Sequence, residues 1–295
     1  MNKSFERVGF IGLGVMGEPI CRNLADKGGM PLTAFDLDAA PLSRLASHGV
    51  QAAASAGEVM ANADVVFLSL PSGEVVHKLS HADGGLLGAA RPGQVIVDLS
   101  TSAVDTTREL ARAYAERGAT FVDAPVARTR AAAEAGTLSV MVGADAAVFE
   151  RLHPLISTFA SDITLCGPVG CGQVVKILNN MVLFETGVAI AEAKAIAARA
   201  GVDPALMFDT LSKGSADSFA LRNHGMKAML PDQYPLRAFS VEYAMKDLRY
   251  ALRMAENGGV DAAGARNVGV LFDRAVDAGK GDCYWPVVST LFTVS

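Results

Sequence analysis

The sequence predicts an α/β protein in which a doubly wound, mostly parallel sheet is followed by an all-α region. Short apolar runs typical of buried strands alternate with helical patterns over about the first half of the chain. A glycine-rich turn follows the first strand, and the alternation stops at Pro168, where a long alanine-rich helical pattern begins. The length of 295 residues fits two domains, which we place at residues 1–165 and 166–295.

Composition and charge argue against several classes of function. A net charge of −5 disfavours nucleic acid or an anionic membrane as a partner. The four cysteines form no CxxC pair and the five histidines are scattered, so we expect no metal site. Free thiols fit a reducing compartment, and glycines interrupt the N-terminal apolar run, so we expect no signal peptide. No segment approaches about 20 clean apolar residues, so we expect no membrane span and a cytoplasmic protein.

The first strand and the turn after it predict a dinucleotide site. Residues 7–11 are typical of a buried strand, and a helical pattern follows the turn to about Lys27. Between them lies a GxGxxG motif in the context that it requires. Its first two glycines allow a tight turn and close approach of a pyrophosphate, and the third lets the helix pack on the strand. We predict cofactor contacts at Gly12, Gly14, Val15, Met16 and Gly17.

An acidic residue at the end of the second strand distinguishes the two dinucleotides. Residues 32–36 are typical of a strand, and Asp36 follows Gly17 by 19 positions. An aspartate there accepts hydrogen bonds from both ribose hydroxyls and repels a 2′-phosphate. No arginine or serine follows at once, so the sequence favours NAD(H) over NADP(H). The alternative is that Asp36 is only a solvated acid at a strand end.

The ends of the later strands predict further contacts. Strands are expected at 64–70, 94–98, 120–123, 138–142 and 163–165, and helices at 38–47, 104–117 and 145–159. Sheets of this kind bind ligands at the carboxyl ends of their strands. We therefore expect Leu70, Pro71 and Thr101 to line the cofactor, and Thr101 also the substrate mouth. Thr101 or Ser102 is equally a plausible cap for the next helix.

The helix that begins after Pro168 carries the candidate catalytic group. Lys176, Asn179 and Asn180 lie at i, i+3 and i+4, which places them on one helix face. The residues between them are apolar, which is typical of a buried helix, and a buried ammonium is costly without partners. One lysine with two carboxamides in such a setting predicts a proton-transfer site. The alternative is a lysine near a helix start that extends to water.

The remainder of the chain is predicted to be helical. Patterns lie at 204–212, about 219–229, 240–256 and 262–278, with a Gly/Ser-rich joint at 213–218. More apolar helix surface than one small domain can bury suggests self-association as a homodimer or homotetramer. Lys246 and Asp247 form a charged pair in a mixed helix, and a solvated face is the expectation from the residues alone.

Taken in order, these motifs resemble the β-hydroxyacid dehydrogenase family, which includes 3-hydroxyisobutyrate dehydrogenase, tartronate semialdehyde reductase and, more distantly, 6-phosphogluconate dehydrogenase. The resemblance covers essentially the whole chain. Its motifs are Gly12-Leu-Gly-Val-Met-Gly17, Asp98-Leu-Ser-Thr101, Asp123-Ala-Pro-Val126, Gly136-Thr-Leu138 with Met141-Val-Gly143, Gly170-x-Gly172-x-x-x-Lys176-x-x-Asn179-Asn180 and Lys246-Asp247-Leu248.

The resemblance implies both architecture and chemistry. It implies a Rossmann domain joined through a long interdomain helix to an all-α domain for substrate binding and dimerisation. The implied reaction is NAD(P)-dependent oxidation of a β-hydroxy acid, or reduction of its aldehyde. Lys176 is implied as the catalytic lysine, with Asn179 and Asn180 near the substrate and Thr101 and Lys246 touching the dinucleotide.

The chain departs from the family's pattern after Val126. Where the family usually has Ser-Gly-Gly, this chain has Ala127-Arg128-Thr129, and a guanidinium suits carboxylate, sulfonate or phosphate groups. This loop resembles that of the 3-sulfolactaldehyde reductases, which implies that Arg128 and Thr129 bind an acidic substrate tail. Leu183 and the segment before Trp285 differ from that branch, and the alternative for Arg128 is a surface residue in a divergent loop.

Three other functions remain as alternatives. The first is an ordinary carboxylate enzyme that acts on 3-hydroxyisobutyrate, tartronate semialdehyde or succinic semialdehyde. The second is an imine reductase, a class that commonly replaces the lysine by aspartate or tyrosine. The third is a non-enzymatic NAD-binding relative. Retention of Lys176 and both asparagines disfavours the last two and leaves the first open.

Overall fold

The computed structural model describes residues 5–236 and 238–292, which divide into two compact units. The first unit ends at Lys176 and the second begins at Ile177. The strands of the first unit are β1 (Val8–Ile11), β2 (Leu32–Phe35), β3 (Gln51–Ala52), β4 (Val65–Leu68), β5 (Val95–Asp98), β6 (Thr120–Asp123), β7 (Val126–Ala127), β8 (Leu138–Gly143) and β9 (Ala160–Gly167). Its helices are α1 (Gly17–Gly28), α2 (Ala39–Leu45), α3 (Ala56–Asn62), α4 (Gly73–His81), α5 (Leu86–Ala89), α6 (Val104–Ala115), α7 (Arg130–Ala135) and α8 (Ala146–Ile156).

Within the described residues, nine strands form a single sheet. The order is β3-β2-β1-β4-β5-β6-β8-β7, and β9 also pairs with β8. The strands β1 to β6 pair with one another in parallel, whereas β8 runs antiparallel to β6 and β7. The strand order reverses between β1 and β4, and ligands bind open α/β sheets at such a switch point. The predicted doubly wound fold is therefore confirmed.

Both faces of the sheet are covered, which explains the continuous apolar runs of its central strands. All four residues are buried in each of β1, β4 and β5. Successive strand residues point to opposite faces, so Phe67 packs with Phe10 in one core cluster while Val66 and Leu68 pack with Ile96 in the other. Strands buried on both faces read as apolar runs rather than as alternating patterns.

Some elements differ from the sequence expectation. The last strand was expected at 163–165 but spans Ala160–Gly167, because it pairs along the length of β8. The short elements β3, β7, α3, α5 and α7 were not predicted. They contain two to seven residues each, too few to show a clear period.

The long helix α9 (Cys171–Arg199) begins in the first unit and continues in the second. By length and composition it could cross a membrane, since its most apolar window has a mean hydropathy of 1.5 and is 44% buried. The expectation that no segment approaches a membrane span is wrong on that criterion. The core helix of a soluble protein passes the same test, so the observation is weak evidence for a membrane. The expectation that α9 is buried all round is also wrong, because Val175, Leu178 and Val182 are exposed.

The second unit is helical, as predicted. It contains α10 (Pro204–Leu211), a π-helix (Leu221–Met229), α11 (Val241–Asn257), α12 (Ala263–Asp277) and a 3₁₀ helix (Trp285–Leu291). Its core is built around Trp285, whose ring meets Phe184 edge-on at 5.4 Å between centroids. The indole lies against Gly187 of α9, where a side chain would clash with the ring.

Candidate active site

The glycine turn after β1 is packed on two sides and open on a third. Gly12 has φ +94°, and a Cβ there would meet Leu70 Cδ2 at 2.9 Å. A Cβ at Gly17 would run into the carbonyl oxygen of Gly12, so α1 approaches the strand closely. A Cβ at Gly14 would meet nothing within 4 Å. Met16, the N-cap of α1, makes no side-chain cap hydrogen bond. The turn thus offers open backbone and a positive helix end, which fits a pyrophosphate.

Asp36 is hydrogen-bonded to this turn. Its Oδ2 accepts a hydrogen bond from the Leu13 N–H at 2.5 Å, and its Oδ1 accepts one from the Asp38 N–H at 2.8 Å. A carboxylate has about four acceptor sites, so two such bonds leave capacity for ribose hydroxyls. The geometry fits the predicted cofactor role of Asp36.

The ends of β4 and β5 are joined by hydrogen bonding. The Leu70 N–H donates to Ser100 Oγ at 2.9 Å. A Cβ at Gly73 would meet Ser102 Cβ at 2.7 Å, so the loops after the two strands are in close contact. Thr101 is buried there, whereas Pro71 is exposed. The structure thus places Leu70 against the glycine turn at Gly12 and Thr101 in the adjoining loop after β5. Their cofactor contacts stay predictions.

A buried polar network attaches the start of α9 to β5. Asp98 accepts hydrogen bonds from the Ser100 N–H at 2.9 Å and from Ser102 Oγ at 2.8 Å. Gln173 accepts from the Ser102 N–H at 3.0 Å and donates to the Ser100 carbonyl at 2.8 Å. Asp98, Ser102 and Gln173 are fully buried. The Gln173 carboxamide thus satisfies two backbone groups of the loop after β5, the N–H of Ser102 and the carbonyl of Ser100.

Asp123, at the end of β6, holds the same helix start from a second side. Its carboxylate accepts hydrogen bonds from the Gly170 N–H at 2.7 Å and the Gln173 N–H at 2.8 Å. A Cβ at Gly172 would meet Asp123 Oδ2 at 2.8 Å, which explains that glycine. Burial raises the pKa of Asp123 to about 6, and the nearby Asp98 adds to the rise, while the two backbone donors oppose it.

Lys176 follows Gln173 by one helical turn and is 9% exposed. Its position on α9 is fixed by the bonds of Gln173 and Asp123, which are themselves fully buried. A lysine side chain carries a proton that it can donate or take back, which is the capacity that general acid–base catalysis needs. The alternative that Lys176 extends freely to water is disfavoured by its burial.

The asparagines and Lys246 form a group in the second unit. Asn180 donates from Nδ2 to Asp247 Oδ2 at 2.7 Å and accepts from Asn179 Nδ2 at 3.1 Å. Lys246 Nζ lies 3.3 Å from Asp247 Oδ1 and 4.1 Å from the centre of the Tyr243 ring. Asp247 is 1% exposed, so the expectation of a solvated Lys246–Asp247 face is wrong. Asn180 is buried like Lys176, whereas Asn179 is exposed.

Arg128 already has partners in the structure. Its guanidinium forms an ion pair with Asp162 at 2.7 Å and donates to the Thr137 carbonyl at 2.7 Å and to Ser161 Oγ at 2.9 Å. Its backbone has φ +88°, a conformation that favours glycine. The residue thus occupies a glycine-like position while its side chain contacts β9.

The neighbours of Arg128 belong to α7. Thr129 is the N-cap and accepts a hydrogen bond from the Ala132 N–H at 3.4 Å. Arg130 pairs with Glu134 at 2.9 Å. A capping role is compatible with the predicted role of Thr129 in substrate binding, which stays a prediction together with that of Arg128.

Comparison with known proteins covers nearly the whole chain. Residues 7–167 match the model for the NAD binding domain of 6-phosphogluconate dehydrogenase, and residues 170–283 match that for the NAD-binding domain of NADP-dependent 3-hydroxyisobutyrate dehydrogenase. The 2-(hydroxymethyl)glutarate dehydrogenase of Eubacterium barkeri is 36% identical over 96% of this chain and 93% of its own. The chain belongs to the β-hydroxyacid dehydrogenase family.

Solved structures of family members agree. The 3-hydroxyisobutyrate dehydrogenase of Mycobacterium tuberculosis, determined with L-serine, has a TM-score of 0.88 and 31% identity over 98% of this chain and 99% of its own. Psf3, determined with NADP⁺ and 2-OPP, has a TM-score of 0.86 and 26% identity over 97% of this chain and 100% of its own. As a β-hydroxyacid dehydrogenase, the protein is an oxidoreductase that uses a nicotinamide dinucleotide and acts on a CH–OH group.

Sequence reasoning missed how this dehydrogenase holds the start of α9. Gln173 was not singled out, and Asp98 and Asp123 appeared only as the first residues of family motifs at strand ends. A signal was present, because Gln173 is a polar residue in an apolar helix start, one turn before Lys176. A buried amide at such a position must be hydrogen-bonded, and the backbone of a neighbouring loop offers both the donor and the acceptor that it needs.

Proposed function

We propose that this dehydrogenase interconverts a small acid-bearing β-hydroxy acid and its aldehyde with NAD(H), and that Lys176 transfers the proton. The observation that carries the proposal is the burial of Lys176 one turn after Gln173, on a helix start hydrogen-bonded to the ends of β5 and β6. The bound nicotinamide supplies or accepts the hydride. Lys176 donates a proton to the developing alkoxide in reduction and removes it in oxidation.

The surrounding groups have separate tasks in this proposal. The turn at 12–17 binds the pyrophosphate with open backbone and the α1 N-terminus. Asp36 binds the ribose. Asn180 and Asn179 orient the substrate, and Asp247 holds Asn180 through a bond of 2.7 Å. Lys246 contributes a positive charge toward the dinucleotide.

The preference for NAD(H) rests on Asp36. Its carboxylate is bonded to the Leu13 and Asp38 amides, which keeps a negative charge beside the turn. A 2′-phosphate in that place meets like charge. Psf3, which has a similar structure, was determined with NADP⁺, so the choice of dinucleotide needs a direct test. The ratio of initial rates with NADH and NADPH tests it, and equal rates contradict it.

The acid tail of the substrate has two candidates. A sulfonate such as that of 3-sulfolactaldehyde is supported by Arg128 and Thr129, which resemble the loop of the sulfolactaldehyde reductases. The ion pair with Asp162 already neutralises the Arg128 guanidinium, which argues against Arg128 as the partner of the acid tail. Without that partner the sulfonate reading loses its support, and a carboxylate is favoured. The E. barkeri relative and the M. tuberculosis structure are also named for hydroxycarboxylate reactions.

A panel of aldehydes with NADH tests the proposal. The panel contains 3-sulfolactaldehyde, tartronate semialdehyde, succinic semialdehyde and the aldehyde of 3-hydroxyisobutyrate, each with and without Arg128→Ala. We expect turnover with at least one acid-bearing aldehyde and none with a neutral aldehyde of the same size. A sulfonate preference that Arg128→Ala abolishes selects the first candidate, and a carboxylate preference that survives it selects the second. Absence of NADH oxidation with every member contradicts the enzymatic function.

Self-association and location are part of the same proposal. Large apolar side chains of the second unit are exposed in the single chain, namely Val182, Ile196, Leu206 and Val270. Large apolar side chains left exposed in a single chain are expected where they are covered by a second subunit. A homodimer or homotetramer in the cytoplasm is therefore proposed, and light scattering on the purified protein distinguishes the two from a monomer.

A further inference from the structure

Three metal-binding side chains lie together on the surface of the first unit. His77 and His81 are on α4, and Glu109 is on α6. One ligand atom from each lies within 4.8 Å of the other two. The expectation of no metal site rested on scattered histidines, but the fold brings two of the five beside a carboxylate. None of the three belongs to the proposed active site.

The spacing of the group suits a metal ion. His77 and His81 lie at i and i+4 on one helix face, and their rings stack with centroids 4.2 Å apart. His77 Nε2 lies 3.0 Å from Glu109 Oε1. A zinc ion with bonds of about 2.0–2.1 Å holds tetrahedral ligand atoms about 3.4 Å apart. The three ligand atoms already lie within 4.8 Å of one another, so small side-chain movements bring them to that separation.

His81 is also set in the correct tautomer. Its Nδ1 lies 3.0 Å from the His77 carbonyl oxygen. A carbonyl oxygen only accepts, so Nδ1 carries the hydrogen and the lone pair of neutral His81 is on Nε2. Metal-binding histidines commonly donate their other ring N–H to a carbonyl in this way.

The two helices form a firm frame for the group. A Cβ at Gly73 would meet Ser102, just before α6, at 2.7 Å. Further along the two helices, Ser80 Oγ and Tyr114 OH are hydrogen-bonded at 3.1 Å. His77 and Glu109 lie between these contacts in both helices. Ligands on packed helices keep their relative positions better than ligands on loops.

We propose that His77, His81 and Glu109 bind a divalent transition-metal ion of the zinc and nickel class. Two imidazoles and one carboxylate suit such ions, and water completes the coordination. The ion replaces the hydrogen that now joins His77 to Glu109 and ties α4 to α6. These helices follow the strand ends that carry Leu70 and Thr101, so the ion stabilises the frame of the cofactor side and takes no part in the reaction.

Calorimetric titration of the EDTA-treated full-length protein with Zn²⁺ and Ni²⁺ tests the proposal. We expect one equivalent to bind and the melting temperature to rise by about 2–4 °C at saturation. His77→Ala, His81→Ala and Glu109→Gln each weaken binding by about tenfold or more. Their melting temperatures without metal stay near that of the parent, since all three positions are partly or fully exposed.

His48→Ala is the matched control. His48 pairs with Asp26 at 2.8 Å, and within the described residues it belongs to no three-ligand group. We expect it to bind metal as the parent does. The proposal is overturned if no metal binds, or if His81→Ala binds as well as His48→Ala. It is also overturned if binding disappears only when Cys166 and Cys171 are replaced by serine, because the ion is then at the cysteines.

Discussion

The start of α9 and the loop at 127–130 are both predicted to face the substrate, yet they are held in opposite ways. At the start of α9, Gln173 and Asp123 are fully buried and linked by backbone donors at 2.7–2.8 Å. In the loop, Arg128 is held by an ion pair with Asp162. The Arg128 side chain is 37% exposed and the Asp162 side chain 57% exposed.

The two kinds of contact differ in energy. Hydrogen bonds to a charged group contribute about 1.5–3 kcal/mol each, and leaving a buried partner unsatisfied costs a similar amount. An exposed ion pair contributes about 0–1 kcal/mol. The group proposed to perform the reaction therefore rests on contacts that are costly to change, whereas the group proposed to select the substrate rests on contacts that change cheaply. This accounts for a standard catalytic motif beside an unusual substrate loop.

Gln173→Leu is expected to have the largest effect, because it removes the buried contacts that distinguish the start of α9 from the loop at 127–130. It leaves the Ser102 N–H and the Ser100 carbonyl unsatisfied, so we expect the free energy of unfolding to fall by about 3 kcal/mol. We expect kcat to fall at least about tenfold, because the start of α9 carries Lys176. Urea unfolding and steady-state kinetics measure both. Gln51→Leu, at an exposed position, is the control and should change stability by less than about 0.5 kcal/mol.

The titration of Asp123 gives a second test. Burial raises the pKa of Asp123 from 3.8 to about 6, so the folded protein binds a proton there that the unfolded chain releases. The contribution of this group to the free energy of unfolding therefore falls as the pH rises from 4 to 6, by on the order of 3 kcal/mol. Asp123→Asn removes the titration. The stability of the parent minus that of the variant should fall over this range, and a rise would refute the assignment.

Packed and open positions also alternate in the turn at 12–17. Gly14→Ala should leave the melting temperature unchanged, because a Cβ there meets nothing within 4 Å. It should weaken NADH binding about tenfold, since the methyl group occupies the approach of the pyrophosphate. Gly17→Ala is the matched variant, and we expect it to destabilise the fold because its Cβ runs into the Gly12 carbonyl. Thermal unfolding and NADH fluorescence distinguish the two effects. Equal NADH affinity in Gly14→Ala and the parent would contradict the predicted site.

Release of Arg128 is expected to have only a small effect on stability. Asp162→Ala should change the free energy of unfolding by less than about 1 kcal/mol, because the pair is exposed. If Arg128 binds the acid tail, Asp162→Ala should have a lower KM for the preferred aldehyde, because the guanidinium is then available to the substrate. Arg128→Ala should have a higher KM. Unchanged KM values in both variants would show that the loop does not contact the substrate.

The sequence predicted those features of the fold and the site that depend on neighbouring residues. The turn at 12–17 and Asp36 are defined by a short motif and by the strand spacing, and the repeated βα units predicted the mostly parallel, doubly wound sheet, though not its strand order. A helix period brings Lys176 and Asn180 to one face, and both are buried in the structure. Their roles stay predictions. The family resemblance was confirmed over both halves of the chain.

The remaining contacts join residues that are far apart in the chain. Gln173 meets Ser102 and Ser100 across 71 and 73 positions, and Asn180 meets Asp247 across 67. No local pattern encodes such a pair, and its identity depends on the register of the sheet and the packing of the helices. Arg128 shows the same limit of prediction from local sequence. Its position in the chain predicted an anion site, but its ion pair with Asp162 depends on the pairing of β8 with β9.

The most direct test of the central claim is turnover by Lys176→Ala and Lys176→Arg. Both variants should lose about 10²–10⁴-fold in kcat, because alanine has no proton to transfer and arginine does not release one near neutral pH. NADH binding, measured by fluorescence, should remain that of the parent in both. Turnover near the parent rate in either variant, with NADH still bound, would contradict the assignment of proton transfer to Lys176.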